Sequence, residues 1–560
     1  MTRACNALPL IVFCTLTCAS SFASANWVSD GLVLCTATGN QTRLAIASDG
    51  AGGAIVTWVD GRNEDNDIYA QRVNASGGIE WATDGVVLST ATGHYQYTPT
   101  IVSDGAGGAI VAWGNSTTGH TYAQRVNGSG AVQWTANGVA LCTAPGEQST
   151  PTIASDGAGG AIVTWRDDGR GSYSDIYAQR LNASGTAQWT TDGVALCTAT
   201  GNQQSPQITS DGAGGAVVTW MDGRSGSYDI YAQRVNASGA VQWTANGVAL
   251  CTAPFDQQYP TIASDGECGA IVTWWDHRIG GYGIYAQSVS ASGAVQWTTD
   301  GVAICTTGFN RIPVVISDEA RGAIVTWESH RSGADFDIYT QRVNASGSVQ
   351  WTTDGVSLCS ADGDQLFPGI VSDGAEGAIV TWEDGGPFSY DVYAQRVNAS
   401  GAVQWGLDGV GLCTATGSHE YPTIVSDGAG GAIVAWEDYR GQVSGYDIYA
   451  QRVDPYGFPV LTSTAMPVMP VELRQNYPNP FNPTTTITYF ISEWCKVTLE
   501  IYDISGECVA RLVDRQQDKG TYSVMWNAND KLGNPLASGL YLYRLMAGGQ
   551  TISRKMVLLR

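Results

Sequence analysis

Between Trp27 and Arg452 the chain repeats one phrase of about 54 residues eight times, its opening Trp falling at 27, 81, 134, 189, 243, 297, 351 and 405. Such a period signals a repeat architecture, in which each unit buries its apolar faces against its neighbours. A copy reads GVALCT, PTIASD, GAIVTW and DIYAQRLN, four short segments rich in Val, Ile, Thr, Trp and Tyr and bounded by Gly, Asn, Asp or Pro, which is how strands read. SDGAGG carries Asp-Gly, and NASG supplies Asn and Gly where a tight hairpin needs positive φ. GAIVTW is apolar on both faces, as a strand sandwiched between sheets should be. No stretch has helical periodicity. Four antiparallel strands per repeat, stacked radially, predict an all-β chain built on an eight-bladed β-propeller.

The phase of the repeat predicts how the ring closes. The chain enters with a GVALCT-type strand (Gly31 to Ala37) and leaves with a DIYAQR-type strand (Asp447 to Val453), so the first strand completes the last blade. With PTIASD, GAIVTW, DIYAQR and GVALCT as strands a to d, the near-invariant ab and cd turns share one face. The variable bc and da loops share the other. On that variable face Tyr95, Tyr97, Phe255, Tyr259, Phe309, Arg311, Phe367, His419 and Tyr421 are the candidate ligand-binding residues, since aromatic platforms beside polar groups suit sugar rings or a protein partner.

Residues 1–25 read as a secretory signal with cleavage after Ala25, from Arg3, the apolar stretch Leu8 to Leu16 and the small residues Ala23, Ser24 and Ala25. The propeller is expected over 26–454, a Pro-containing linker over 455–475, and a second domain over 476–560. All four Lys (496, 519, 531, 555) lie in that last domain, and residues 472–560 hold ten basic against eight acidic residues. Taking that +2 and the +1 of Arg3 from the formal net charge of −23 leaves −26 on residues 26–471. An acidic surface of this kind repels phosphate backbones and anionic lipid, which argues against nucleic-acid or membrane-surface binding. No later segment is apolar and long enough to span a bilayer.

Each repeat has Asp in its SD pair, and seven carry Arg in YAQR or YTQR, with Ser288 the exception. Eight copies of one pair are architecture: the Asp bridges the Arg, or it caps its own turn. Cys recurs at one place in seven repeats (35, 142, 197, 251, 305, 359 and 413); equivalent positions in neighbouring blades should lie beyond the roughly 7 Å Cα limit for a disulfide, so a small buried apolar residue is expected. The bc loops repeat Asp-Gly-Arg with a second Asp downstream, making Asp60, Asp67, Asp222 and Asp229 candidate calcium ligands. No other cofactor is expected. HExxH, GxSxG, the P-loop and CxxC are all absent from the sequence.

The phrase SDGAGGAIVTW, followed by a DGR loop and DIYAQR, resembles the blade pattern of TolB-like propellers. NYPNPFNPTTTITYFI (Asn476 to Ile491), VTLEIYDISGECVARLV (Val497 to Val513) and GTYSVMWNANDKLGNPLASGLYLYRL (Gly520 to Leu545) resemble the FlgD-type Ig-like domain, a small β-sandwich. That resemblance implies similarity to type IX secretion sorting domains, hence contact with an export machinery. The reading that follows is an exported or surface-attached binding protein, not an enzyme, whose variable face engages extracellular glycan or a surface protein. Its alternatives are a secreted carbohydrate-active hydrolase or lyase with carboxylates near the propeller channel, and a structural repeat protein.

Overall fold

The computed structural model describes residues 27–460 and 472–560, apart from 64, 91–94, 279, 332, 334, 387–388, 441–444, 492–494, 505–507, 532 and 548–549. The expected signal segment and most of the linker lie outside the described residues. The chain divides into two units, Met1–Thr462 and Ser463–Arg560. Among the described residues there is no helix, and none long and apolar enough to cross a membrane.

The first unit is eight four-stranded antiparallel sheets. Blade 3 is typical, with strand a Gln148–Ser155, b Ala161–Asp167, c Asp175–Leu181 and d Val194–Cys197. The a strands of successive blades touch around the whole ring, Gln41–Ser48 of blade 1 meeting His419–Ser426 of blade 8, so they are innermost. Blade 8 is completed by Leu32–Cys35, which pairs antiparallel with Asp447–Val453. Strand b is buried along its length, and its Trp (58, 113, 165, 220, 274, 327, 382, 436) is fully enclosed. That Trp also explains the Gly ahead of strand d: at Gly193, φ +87°, an added Cβ would sit 2.7 Å from Trp165 Cη2. The repeated cysteines are free and buried, and burial pushes the Cys35 thiol up to about 12.

The SD aspartate plays both of its expected parts, because a carboxylate has two oxygens. Asp156 Oδ1 accepts from the backbone N–H of Ala158 and Gly160, each at 2.8 Å. Its Oδ2 accepts Nε and Nη2 of Arg180 at 3.0 Å. Arg180 Nη1 then reaches across to the Ala237 carbonyl of blade 4 at 3.0 Å, and the opening Trp189 donates Nε1 to the same oxygen at 3.1 Å. This clasp recurs at Arg72, Arg125, Arg234, Arg342, Arg396 and Arg452, the last holding Ala75 of blade 1. In blade 5, where Ser288 replaces the Arg, Asp265 is no longer buried. Arg180→Ala strands a buried carboxylate, and losing one partner of such a pair costs about 3 kcal/mol. A loss of unfolding free energy of that size, seen as a lower urea midpoint at unchanged slope, is expected, with the matching change at Ser288 nearly silent.

The second unit packs one sheet (Glu472–Leu473, Thr485–Ile491, Gly520–Trp526) against another (Cys508–Gln517, Cys495–Tyr502, Gly539–Ala547, Gln550–Leu558). Alternate residues of Thr485–Ile491 and Cys495–Tyr502, among them Ile487, Tyr489, Val497, Leu499 and Ile501, form its core, the pattern of a β-sandwich.

Candidate functional site

Every strand a is interrupted two or three residues in by a bulge, and a bulge re-aims one side chain. The bulged residue is left-handed in each blade, half-buried at Ser205 and Ile312 and exposed in the others. It is Arg43, Thr98, Thr150 and Ser205 in blades 1–4 but Tyr259, Ile312, Phe367 and Tyr421 in blades 5–8. Half of the inner rim is thus polar and half apolar. A second asymmetry lies beside it, on strand b immediately after the buried Trp. That position is Val59, Gly114, Arg166, Met221 and Trp275 in blades 1–5, and Glu328, Glu383 and Glu437 in blades 6–8.

The three glutamates are buried and share one local job. Each accepts the backbone N–H of the next blade's bulge: Glu328 from Phe367 at 2.7 Å, Glu383 from Tyr421, and Glu437 from Arg43 at 2.5 Å. They differ in what else surrounds them. Glu328 is paired with Arg311 at 2.5 Å. Glu383 and Glu437 have no cation of that kind, and among the described residues their second carboxyl oxygens have no hydrogen-bond partner. Glu437 is instead directly opposite Glu420 across the strand pair, where like charges repel. Burial, with Glu420, Glu328 and Glu437 adding to it, pushes Glu383 up to about 8. Burial and Glu420 push Glu437 up to about 7. Glu420 is half-buried and oriented by the hydroxyls of Ser418, at 2.7 Å, and Tyr446, at 3.2 Å to either oxygen. Three carboxyl groups, those of Glu383, Glu420 and Glu437, two of them with raised proton affinity, therefore come together where blades 7 and 8 adjoin, beside the exposed rings of Phe367 and Tyr421, 5.0 Å apart.

The structure brings together six of the nine residues expected on the ligand face. Tyr259 stacks on Trp275 (5.6 Å), which meets Phe309 (6.1 Å), while Arg311 lies 3.9 Å over Phe336, itself beside Phe309; Phe367 and Tyr421 continue the arc. Phe255, 65% exposed, lines a cleft of about 440 Å³ with Asp256, His277 and Tyr282. Tyr95 and Tyr97 stand apart on blade 2, and Tyr97 is folded over Gly114, where a Cβ would collide with its ring. His419 is placed differently from expectation. It is fully buried inside blade 8, not presented on the face.

At His419 the other blades carry Gln, or Asn310 in blade 6. Its Nδ1 lies 3.0 Å from Asp438 and its Nε2 3.0 Å from the Ala415 carbonyl, so both ring nitrogens face acceptors and the imidazolium is the form that fits. Burial opposes the charge, but the bonds to Asp438 and Ala415 outweigh it and raise His419 to about 10. Because the folded state binds this proton more tightly, the stabilisation is complete below the unfolded value of about 6.5 and is lost as pH rises towards 10. Melting temperatures from pH 6 to 10 should fall more steeply for the native chain than for His419→Gln.

The DGR loops prove to be blade architecture. Asp60 accepts Trp58 Nε1 at 2.7 Å and both Nε and Nη2 of Arg62, whose guanidinium lies 3.9 Å over Tyr69. Asp222 repeats this with Trp220, Arg224 and Tyr231. Asp67 and Asp229 are buried at the start of strand c. Calcium at Asp60 or Asp222 would have to displace the guanidinium groups.

A family model for the FlgD Ig-like domain matches residues 484–550. The C-terminal unit carries that domain. No curated protein sequence matches the chain. Among solved structures, an ulvan lyase of a polysaccharide lyase family is similar over 77% of this chain and 98% of its own, at 11% identity and a TM-score of 0.44. An α-L-arabinofuranosidase of Fusarium graminearum is similar over 55% and 92%, at 11% identity and a TM-score of 0.31. A glycoside hydrolase is similar over 95% and 97%, at 9% identity and a TM-score of 0.30. The likeness is one of fold. By their own descriptions these three structures are a lyase and two hydrolases, and the expectation that the chain is not an enzyme is withdrawn.

Proposed function

We propose that the protein is an exported carbohydrate-active enzyme, a hydrolase of uncharged glycan, with Glu383, Glu420 and Glu437 as its reacting groups. The observation that carries this reading is the buried Glu383 carboxyl, which accepts the backbone N–H of Tyr421 beside Glu420 on the adjoining blade and whose proton affinity is raised by burial and by Glu420. Glycoside hydrolysis needs that division of labour: an acid protonates the departing oxygen while a carboxylate attacks the sugar or activates water. Glu383 supplies the proton and Glu420 the carboxylate; the rings of Phe367 and Tyr421 offer a stacking surface for the sugar. A lyase acting on uronates needs a cation to neutralise the substrate carboxylate. Here the surface is acidic, and Arg311 is committed to Glu328.

Export fits the signal-like N-terminus, and the Ig-like domain serves surface attachment or recognition by an export machinery. The test is release of reducing ends or aryl aglycone when the full mature chain meets a panel of neutral polysaccharides and 4-nitrophenyl glycosides between pH 5 and 8. Absence of release from every member would overturn the hydrolase.

A further inference from the structure

We infer that the aromatic cleft of blades 4 and 5 and the rings running from it to the carboxylates form one binding track for an extended, uncharged polysaccharide. The contacts are continuous. Tyr282 in the cleft wall packs on Phe309 at 4.1 Å, Phe309 on Phe336 at 6.0 Å, and Phe336 carries Arg311, which pairs with Glu328. Glu328 in turn holds the backbone of Phe367, whose ring meets Tyr421 above Glu383.

The lining chemistry selects the occupant. The cleft, of about 440 Å³, has the size of a small-molecule site. It pairs apolar rings with Asp256, Ser227 and His277, and His277 Nε2 is a buried nitrogen without a hydrogen-bond partner. Burial lowers the proton affinity of that imidazole, so it meets a ligand as a neutral group. Rings flanked by hydrogen-bonding groups suit a sugar, which has apolar faces and hydroxyl edges. A propeller this acidic repels an anionic polymer. The exposed bulge rings lie on blades 5, 7 and 8, so a single sugar would touch only part of the track, whereas a chain could follow it.

The glycosidase reading supplies the cleavage; the binding does not depend on it. The full mature chain would be run in native affinity electrophoresis through gels holding mixed-linkage β-glucan, xylan, arabinan, galactomannan or, as the anionic control, carboxymethyl cellulose. Retardation by at least one neutral polymer and none by the control is expected. Phe255→Asn, chosen because Phe255 is exposed and Asn tolerates its φ of +68°, should weaken that retardation about tenfold, the loss of one stacking contact. Glu383→Gln should bind as the native chain does. Where turnover is measured, Phe255→Asn should raise KM on the polymer about tenfold and leave kcat/KM on an aryl glycoside within twofold. No retardation by any neutral polymer, or equal retardation of Phe255→Asn and native protein, would overturn the track. Phe255-dependent retardation without turnover would overturn the hydrolase and leave the track standing.

Discussion

Glu383→Gln is expected to lower kcat on a glycan by about 10²–10⁴-fold, the usual contribution of a positioned acid, with no loss of thermal stability. The two readouts should part because glutamine keeps an acceptor for the Tyr421 N–H and removes a titration that works against folding. A carboxyl raised to about 8 in the folded chain and near 4.3 in the unfolded one stabilises fully only below the lower value. That stabilisation drains away as pH rises to the higher one. The melting temperature of Glu383→Gln at pH 8 should therefore equal or exceed that of the native protein, and the native rate should decline above about pH 8 as the proton is lost. A variant that keeps its rate, or loses rate and fold together, would remove Glu383 from the chemistry.

Removal of residues 26–37 is expected to cost the propeller its cooperative fold. Trp27, Leu34 and Cys35 are buried, and each large apolar side chain taken out of water contributes about 1.5–3 kcal/mol. Trp27 Nε1 also bonds the Ala75 carbonyl of blade 1 at 3.1 Å. The sum approaches the whole stability of a typical domain, about 5–15 kcal/mol. It falls where strand c of blade 8 would be left as an open edge. The shortened chain should lose its sharp melting transition and aggregate. Addition of a peptide spanning Trp27 to Ala37 should restore the transition; a shortened chain that melts sharply on its own would refute the closure.

Propeller, strand order and closing strand were legible in the sequence because eight copies of one phrase act as their own alignment. Turn, strand and Trp recur at fixed places, and the ring has one phase that closes. The two roles weighed for Asp49 and its equivalents looked exclusive in one dimension; in three they fall to separate oxygens of one carboxylate. His419 misled for a different reason. It resembles a loop aromatic beside Tyr421, yet its place in the repeat is that of buried Gln41 and Gln148, and position in the repeat outranks residue type. The same lining-up would have exposed the carboxylates, since Glu328, Glu383 and Glu437 stand where the other blades carry Val, Gly, Arg, Met and Trp. Their raised proton affinity could not be read, because it depends on burial beneath the neighbouring blade. Glu420 gave no signal until its partner across the strands was known.

The missing guanidinium of blade 5 has a mechanical consequence. Seven seams of the ring are fastened on the constant face by a part-buried arginine and a tryptophan, while the seam from blade 5 to blade 6 keeps Trp297 on the Ala345 carbonyl and an exposed ion pair between Glu267 and Arg321. On the opposite face that same seam is crossed by the contacts of Trp275 and Tyr282 with Phe309. The seam fastened by the most exposed contacts is thus the one where the aromatic surface is richest: any opening between blades 5 and 6 would part the rings, and a sugar chain lying across them would hold the seam shut. Amide exchange near Ala345 should then report occupancy of a cleft on the far side of the blade.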